Sequence, residues 1–183
     1  MNGNTRARTY RETISHYQEL REAVYEFSES EFREFSAKFS EISYKDAVEA
    51  DAWRWNDINK IPIWEWTRMY HDYHTHSGVK RFDVAIRAQG KLCALCYGVP
   101  SRRKLILKLH ALSRLPNDNP LGGKILSMVL FAADAYARLI DAQEMWLCNP
   151  MNDNLVKLYE GAGFTAHYNN IGLATHLSIR INP

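Results

Sequence analysis

Tyr10, Ile14, Tyr17, Leu20, Val24 and Phe27 recur at spacings of three and four. That period gathers them on one face and predicts an amphipathic helix over residues 9–28. Phe32, Phe35 and Phe39 continue the spacing and predict a second helix over 28–39. Two further helices are expected over 43–51 and 64–76, the latter stopped by Ser77 and Gly78. Between them lies the aromatic-rich run AWRWNDINKIPIWEW, broken locally by Pro62. At Lys80 the period drops to two. Phe82, Val84 and Ile86 alternate with Asp83, Ala85 and Arg87; Gln89-Gly90 supplies a turn, and residues 91–98 return as a second strand.

Residues 104–115 alternate again, with Leu105, Leu107, Leu109 and Ala111 on one face and Ile106, Lys108, His110 and Leu112 on the other. A turn-rich loop, NDNPLGG, leads into a long apolar helix over 124–141. A strand over 144–148, a helix over 153–162 and strands over 164–168 and 174–181 complete the order. Helices therefore come first, followed by β-β-β-α-β-α-β-β. That order predicts an α/β fold in which residues 1–79 form a helical extension packed on a core of residues 80–183, one structural domain in all.

Composition narrows the class. A hydrophobic content of 46% over 183 residues supports one proper core. No apolar run is long enough to cross a bilayer, and MNGNTRARTYRET has no apolar signal region. Three cysteines suit a reducing cytoplasm. Cys93 and Cys96 have redox or zinc spacing, but in a regular strand positions i and i+3 face opposite ways. Residues 1–80 hold 11 Lys/Arg against 14 Asp/Glu, and residues 81–183 hold 12 against 7. The mildly basic second part suits an anionic ligand such as a nucleotide cofactor better than duplex DNA.

Two segments carry chemistry. The loop from Asn117 to Lys124 brings consecutive backbone N–H groups to a helix start, an arrangement that holds anions. It is neither a Walker A loop, because Ile125 follows Gly123-Lys124, nor a dinucleotide fingerprint. The second segment is EMWLCNPMNDNLVKLYEGAGF, residues 144–164, with Asn152, Leu155, Leu158-Tyr159 and Gly163-Phe164 in fixed spacing. In order and spacing these two segments resemble the GNAT superfamily of N-acetyltransferases. The loop departs from the family's pyrophosphate pattern, having neither the leading Gln or Arg nor the small last residue.

The resemblance covers about residues 80–183 and implies a mixed, mostly antiparallel sheet flanked by helices. It implies acetyl-CoA as acyl donor and direct transfer to an amine acceptor. Amides of Leu121, Gly122, Gly123, Lys124, Ile125 and Leu126 would hold the pyrophosphate. A bulged strand end at Leu112, Ser113, Arg114 and Leu115 would pair with the pantetheine, and Asn152 and Leu155 would lie near its thiol end. Tyr159 would protonate the leaving thiolate. The strand before the loop carries no Glu, so His110 is the candidate general base.

Alternative roles exist for the same residues. Tyr159 also suits packing on the sheet, and Asn152 suits capping a helix. His71, His74 and His76 cluster without a supporting carboxylate or cysteine pattern, so no metal is expected. Trp53, Trp55, Trp64 and Trp66 suit either an acceptor pocket or the seam between extension and sheet. The acceptor is expected to be a small molecule or a protein, and a homodimer is open. One rival function is a nucleic-acid-directed enzyme on this scaffold, a toxin acting on aminoacyl-tRNA or a phage DNA modifier. Its basic groove would need Arg102, Arg103, Lys104 and Arg114 on the acceptor side. Another rival is a non-catalytic binding protein.

Overall fold

The computed structural model describes residues 9–55, 64–74 and 78–181. Seven strands form one sheet: β1 (Lys38–Ser40), β2 (Phe82–Ala88), β3 (Lys91–Pro100), β4 (Ile106–Arg114), β5 (Glu144–Cys148), β6 (Thr165–Tyr168) and β7 (Ala174–Arg180). Their order is β1-β2-β3-β4-β5-β7-β6. All neighbours are antiparallel except β4 and β5, which run parallel and are joined by a crossover through a helix. Among the described residues five α-helices pack on it: α1 (Tyr10–Glu31), α2 (Tyr44–Asp51), α3 (Trp66–Tyr73), α4 (Ile125–Leu139) and α5 (Asp153–Gly161). No described helix is long and apolar enough to cross a membrane.

The expected second helix over 28–39 does not form. α1 runs on to Glu31, a short 3-10 turn covers Arg33–Phe35, and Ser36 adopts a left-handed φ of 50°. The chain then enters β1, which pairs with β2 along the sheet edge. The three phenylalanines still share a side, and Phe32 stacks on Phe39 at 6.0 Å between centroids. A turn thus reproduces the grouping that helical spacing suggests. The N-terminal segment is therefore not purely helical: it adds a strand to the sheet, and Tyr17, Val24 and Tyr25 of α1 enter the main core. Capping boxes at Thr9 and Ser43 fix the starts of α1 and α2.

Two cores lie on opposite sides of the sheet. The first joins α1, α4 and α5 to Phe82, Val84, Ile86, Leu107, Leu109, Met145, Leu147 and Leu177. The second joins α2, α3 and Trp53 to Ala85, Leu92, Leu95, Tyr97 and Ala111. Bulges reset the alternation between them. Cys93 is an extra residue between the Arg87–Leu92 and Ile86–Ala94 pairs. As a result Cys93 and Cys96 both enter the first core, contrary to the opposite faces expected of a regular strand; both thiols are free.

Buried charge ties the N-terminal segment to the sheet. Asp83 is fully buried, with Arg81 Nε at 3.1 Å and Arg21 Nε at 3.6 Å from one oxygen, while the Ile42 N–H donates to the other at 2.9 Å. Burial pushes the Asp83 carboxyl up, and the Arg81 charge pulls it back. Glu41 pairs with Arg81 and faces His74, whose hydrogen bond holds the Glu41 pKa down at about 2. Glu41, His74 and Asp83 bring ligand atoms within 4.8 Å of one another. The Arg81 guanidinium bridges both carboxylates there and occupies the position a metal cation would take.

Candidate active site

The parallel ladder between β4 and β5 runs from Ile106–Glu144 to Leu109–Leu147 and ends there. On its other edge β4 stays paired with β3 as far as Arg114. The register slips between Tyr97–Ala111 and Gly98–Leu109, which leaves His110 as an extra residue. The bulge thus sits at His110, upstream of the expected 112–115. It turns Leu109 to the first core and Ala111 to the second, so the alternation expected through Ala111 is broken. Past Leu109 β4 and β5 part, and among the described residues the β5-facing edge of β4 has no strand partner there.

A cavity fills the splay. His110 and Leu112 of β4, Cys148 of β5, the following Asn149-Pro150-Met151, and Leu155 and Tyr159 of α5 line it, with Trp64 closing one side. The family resemblance implies roles for Leu112, Leu155 and Tyr159, and His110 is the titratable candidate of its strand; the fold brings all four to this space. Nothing in the composition of Asn149–Met151 signals that this turn forms a wall of the cavity. Trp64 and Trp66, two residues apart, have separate fates. Trp64 lines the cavity, whereas Trp66 is buried with Trp53 in the second core and donates its indole N–H to Ser113 Oγ at 3.1 Å. The Trp55 side chain and His76 lie outside the described residues.

Electrostatics divide the titratable groups. Tyr159 is 8% exposed, and burial raises its phenol to about 12, so it keeps its proton. Burial and the Lys108 charge lower the His110 pKa, so its imidazole is neutral near pH 7. Burial raises the Cys148 thiol, which keeps it from being a thiolate nucleophile.

Other expected residues lie nearby. Asn152 caps α5, accepting from the Leu155 N–H at 3.0 Å. Ser113 anchors Trp66, Arg114 is exposed at the end of β4, and Leu115 packs on the second core. In the loop before α4, Asn119 takes an organising role. Its Oδ1 accepts from Leu121 N at 3.0 Å, and its amide donates to Cys93 O at 2.9 Å. The Gly122 and Lys124 N–H groups close turns onto Asn119 O and Leu121 O. Gly122 has a φ of 45°, which favours glycine, and a Cβ on Gly123 would meet nothing within 4 Å. The side chains of Leu121 and Ile125 are buried, and Leu126 is half-buried against the same core. α4 starts with no side-chain cap and no acidic residue in its first turn.

His71 and His74 separate: His71 packs near Tyr44, and His74 stacks on Tyr70. Arg102, Arg103 and Lys104 occupy the β3–β4 turn, closed by Ser101 N to Ile106 O. Lys104 is about 16 Å along the strand from Leu109 at the cavity. Of the four basic residues expected to flank the acceptor side, only Arg114 lies at this end of β4.

No family model matches the sequence, and no curated protein matches it. Solved structures do match in fold. The Salmonella typhimurium protein yncA, solved with its cofactor acetyl-CoA, is 11% identical over 80% of this chain and 94% of its own, with a TM-score of 0.59. PaiA N-acetyltransferase from Thermoplasma acidophilum, in complex with coenzyme A, is 14% identical over 79% of this chain and 99% of its own, TM-score 0.56. A GNAT-family acetyltransferase from Streptococcus pneumoniae is 15% identical over 80% and 99%, TM-score 0.55. Coverage near 80% exceeds what residues 80–183 alone supply, so the likeness reaches into the N-terminal segment as well. The seven-stranded mixed sheet, splayed between β4 and β5, is the fold of the GNAT N-acetyltransferases.

Proposed function

We propose that this protein transfers an acetyl group from acetyl-CoA directly to an amine. The observation that carries this reading is one cavity, at the β4–β5 splay, faced by a neutral imidazole and a protonated phenol. The residues present suit the donor. The unpaired edge of β4 from His110 to Leu112 offers backbone groups to an amide-bearing arm. The start of α4 offers its positive dipole end, with open space at Gly123 for a pyrophosphate. Leu112, Leu155 and Leu147 give an apolar lining to the thiol end. Bound there, acetyl-CoA supplies an activated acetyl thioester.

The chain's own groups then manage protons. The acceptor nitrogen forms a C–N bond to the acetyl carbon as the C–S bond breaks. His110 takes the proton that the nitrogen sheds, and Tyr159 gives its proton to the departing sulfur, so amide and free thiol result. Solvent resets both groups. Cys148 stays a thiol, which favours direct transfer over an acyl-enzyme.

The test is thiol release from acetyl-CoA across a panel of primary amines, run on wild type and Tyr159→Phe. Amine-dependent release that falls in the variant supports the reading; release with no amine in the panel, or equal rates in both proteins, overturns it.

A further inference from the structure

Near the cavity, on the sheet face opposite Leu107, Leu109, Met145 and Leu147 of the first core, lies a row of side chains that no proposed step uses. Lys108 and Trp146 are register partners on β4 and β5, and the Lys108 ammonium lies 5.1 Å from the Trp146 ring centroid. Trp146 stacks on His176 at 4.0 Å, and His176 on His167 at 4.4 Å. The row begins next to the chemistry: Lys108 is two residues from His110, and Trp146 two from Cys148, about 7 Å along each strand.

Its cavity end is cationic, because the Glu144 carboxylate lies two register positions farther from the cavity than Lys108. Lys108 is held over the Trp146 ring, and its neighbour on the row, Glu144, accepts from the Trp146 indole N–H at 2.7 Å. Among the described residues the cavity lining contains no carboxylate. A polycationic amine would therefore meet a fixed cation at the near end of the row, with no carboxylate among the described lining residues to offset its desolvation. The Lys108 charge also acts to lower the pKa of both His110 and Cys148, which places the ammonium within electrostatic reach of both walls.

We propose that the acceptor is a primary amine whose carrier bears an anionic group, a carboxylate or a phosphate, about 7 Å from the nitrogen, and that Lys108 binds that group at the cavity mouth. This rests on the acyl-transfer reading and names the substrate class for the same site. The indole of Trp146 holds the lysine stem and head in place, so the charge is pre-positioned.

The experiment uses matched amines: 5-aminopentanoate against 5-aminopentanamide, 3-aminopropyl phosphate against 3-aminopropanol, and 1,5-diaminopentane as the cationic arm. Turnover is read as kcat/KM by thiol release, and amine affinity by calorimetry with and without CoA. At least one anionic amine is expected to exceed its neutral partner by about tenfold, the scale of one charge-assisted contact. The two pairs tell carboxylate from phosphate. Lys108→Met should bring that ratio near unity through KM, and Lys108→Glu should favour the diamine. Equal ratios in wild type, or a ratio unchanged in both variants, overturns the proposal. Should acetyl-CoA neither bind nor turn over with any amine, the acyl-transfer reading falls, and the CoA-free affinities still decide what Lys108 binds.

Discussion

Gly98 of β3 faces Leu109 of β4 where the register slips, and a Cβ on Gly98 would stand 2.7 Å from Leu109 Cδ2 and 2.8 Å from the Lys108 carbonyl oxygen. The strands approach this closely only because the position has no side chain, and the bulge that sets His110 at the cavity depends on the approach. Gly98→Ala is expected to cost about 1–3 kcal/mol by overpacking and to lower turnover by shifting His110. Urea unfolding read alongside thiol release checks both. Gly123→Ala is the contrast: its Cβ meets nothing, so stability should hold while acetyl-CoA affinity weakens.

Asp83 is the counter-charge for Arg21 and Arg81, which are 3% and 7% exposed. Asp83→Asn leaves two buried guanidinium groups with only Glu41 against them. The expected loss is about 3–5 kcal/mol, the cost of uncovering a buried charge. Thermal unfolding should show a large drop in Tm. A drop no larger than that of an exposed substitution such as Asp118→Asn would contradict this account of the network.

How far the sequence carries this picture depends on the kind of signal. The strand–loop–helix–strand–helix order from Lys104 to Phe164 was legible because long periodic segments and a fixed Asn152-to-Phe164 spacing state it directly. Tyr159 is legible as a candidate through the family resemblance, and His110 as the titratable group on a strand without Glu. The bulge at His110 was not. Alternation predicts one face for Leu109 and Ala111, and only the slip against Gly98 puts them on two. The same limit hid the bulge at Cys93. β1 was hidden differently: Phe32, Phe35 and Phe39 sit at helical spacing, yet a left-handed Ser36 folds them together through a turn. Trp64 and Trp66 differ in role through position in the fold alone. Three basic residues next to one another in sequence, Arg102 to Lys104, belong to a turn far from the cavity.

In the proposed reaction His110 is a base only when deprotonated. Its pKa lies below the usual histidine value because it is partly buried and Lys108 is near. The predicted kcat/KM is therefore flat above that pKa and falls about tenfold per pH unit below it. Lys108→Glu removes one cause and should carry the acid limb to higher pH. His110→Gln should cost about a hundredfold at neutral pH and erase the limb. Retention of the limb in His110→Gln would assign it to another group.

The proposed acid role requires Tyr159 to be protonated, and a phenol raised by burial to about 12 stays so across the working range. No alkaline limb from this residue is expected below pH 10. Tyr159→Phe should lower kcat by about a hundredfold with little change in acetyl-CoA affinity, since the ring remains in place against Phe164. Calorimetry and steady-state kinetics on one preparation separate the two effects. Affinity lost in step with kcat would make Tyr159 a binding residue instead.

The most direct test of the central claim is a calorimetric titration of wild-type protein with acetyl-CoA. Saturable binding at one site per chain, weakened in Gly123→Ala, is the predicted result. No heat of binding at millimolar acetyl-CoA would contradict the claim that the β4–β5 splay and the α4 start hold an acyl donor.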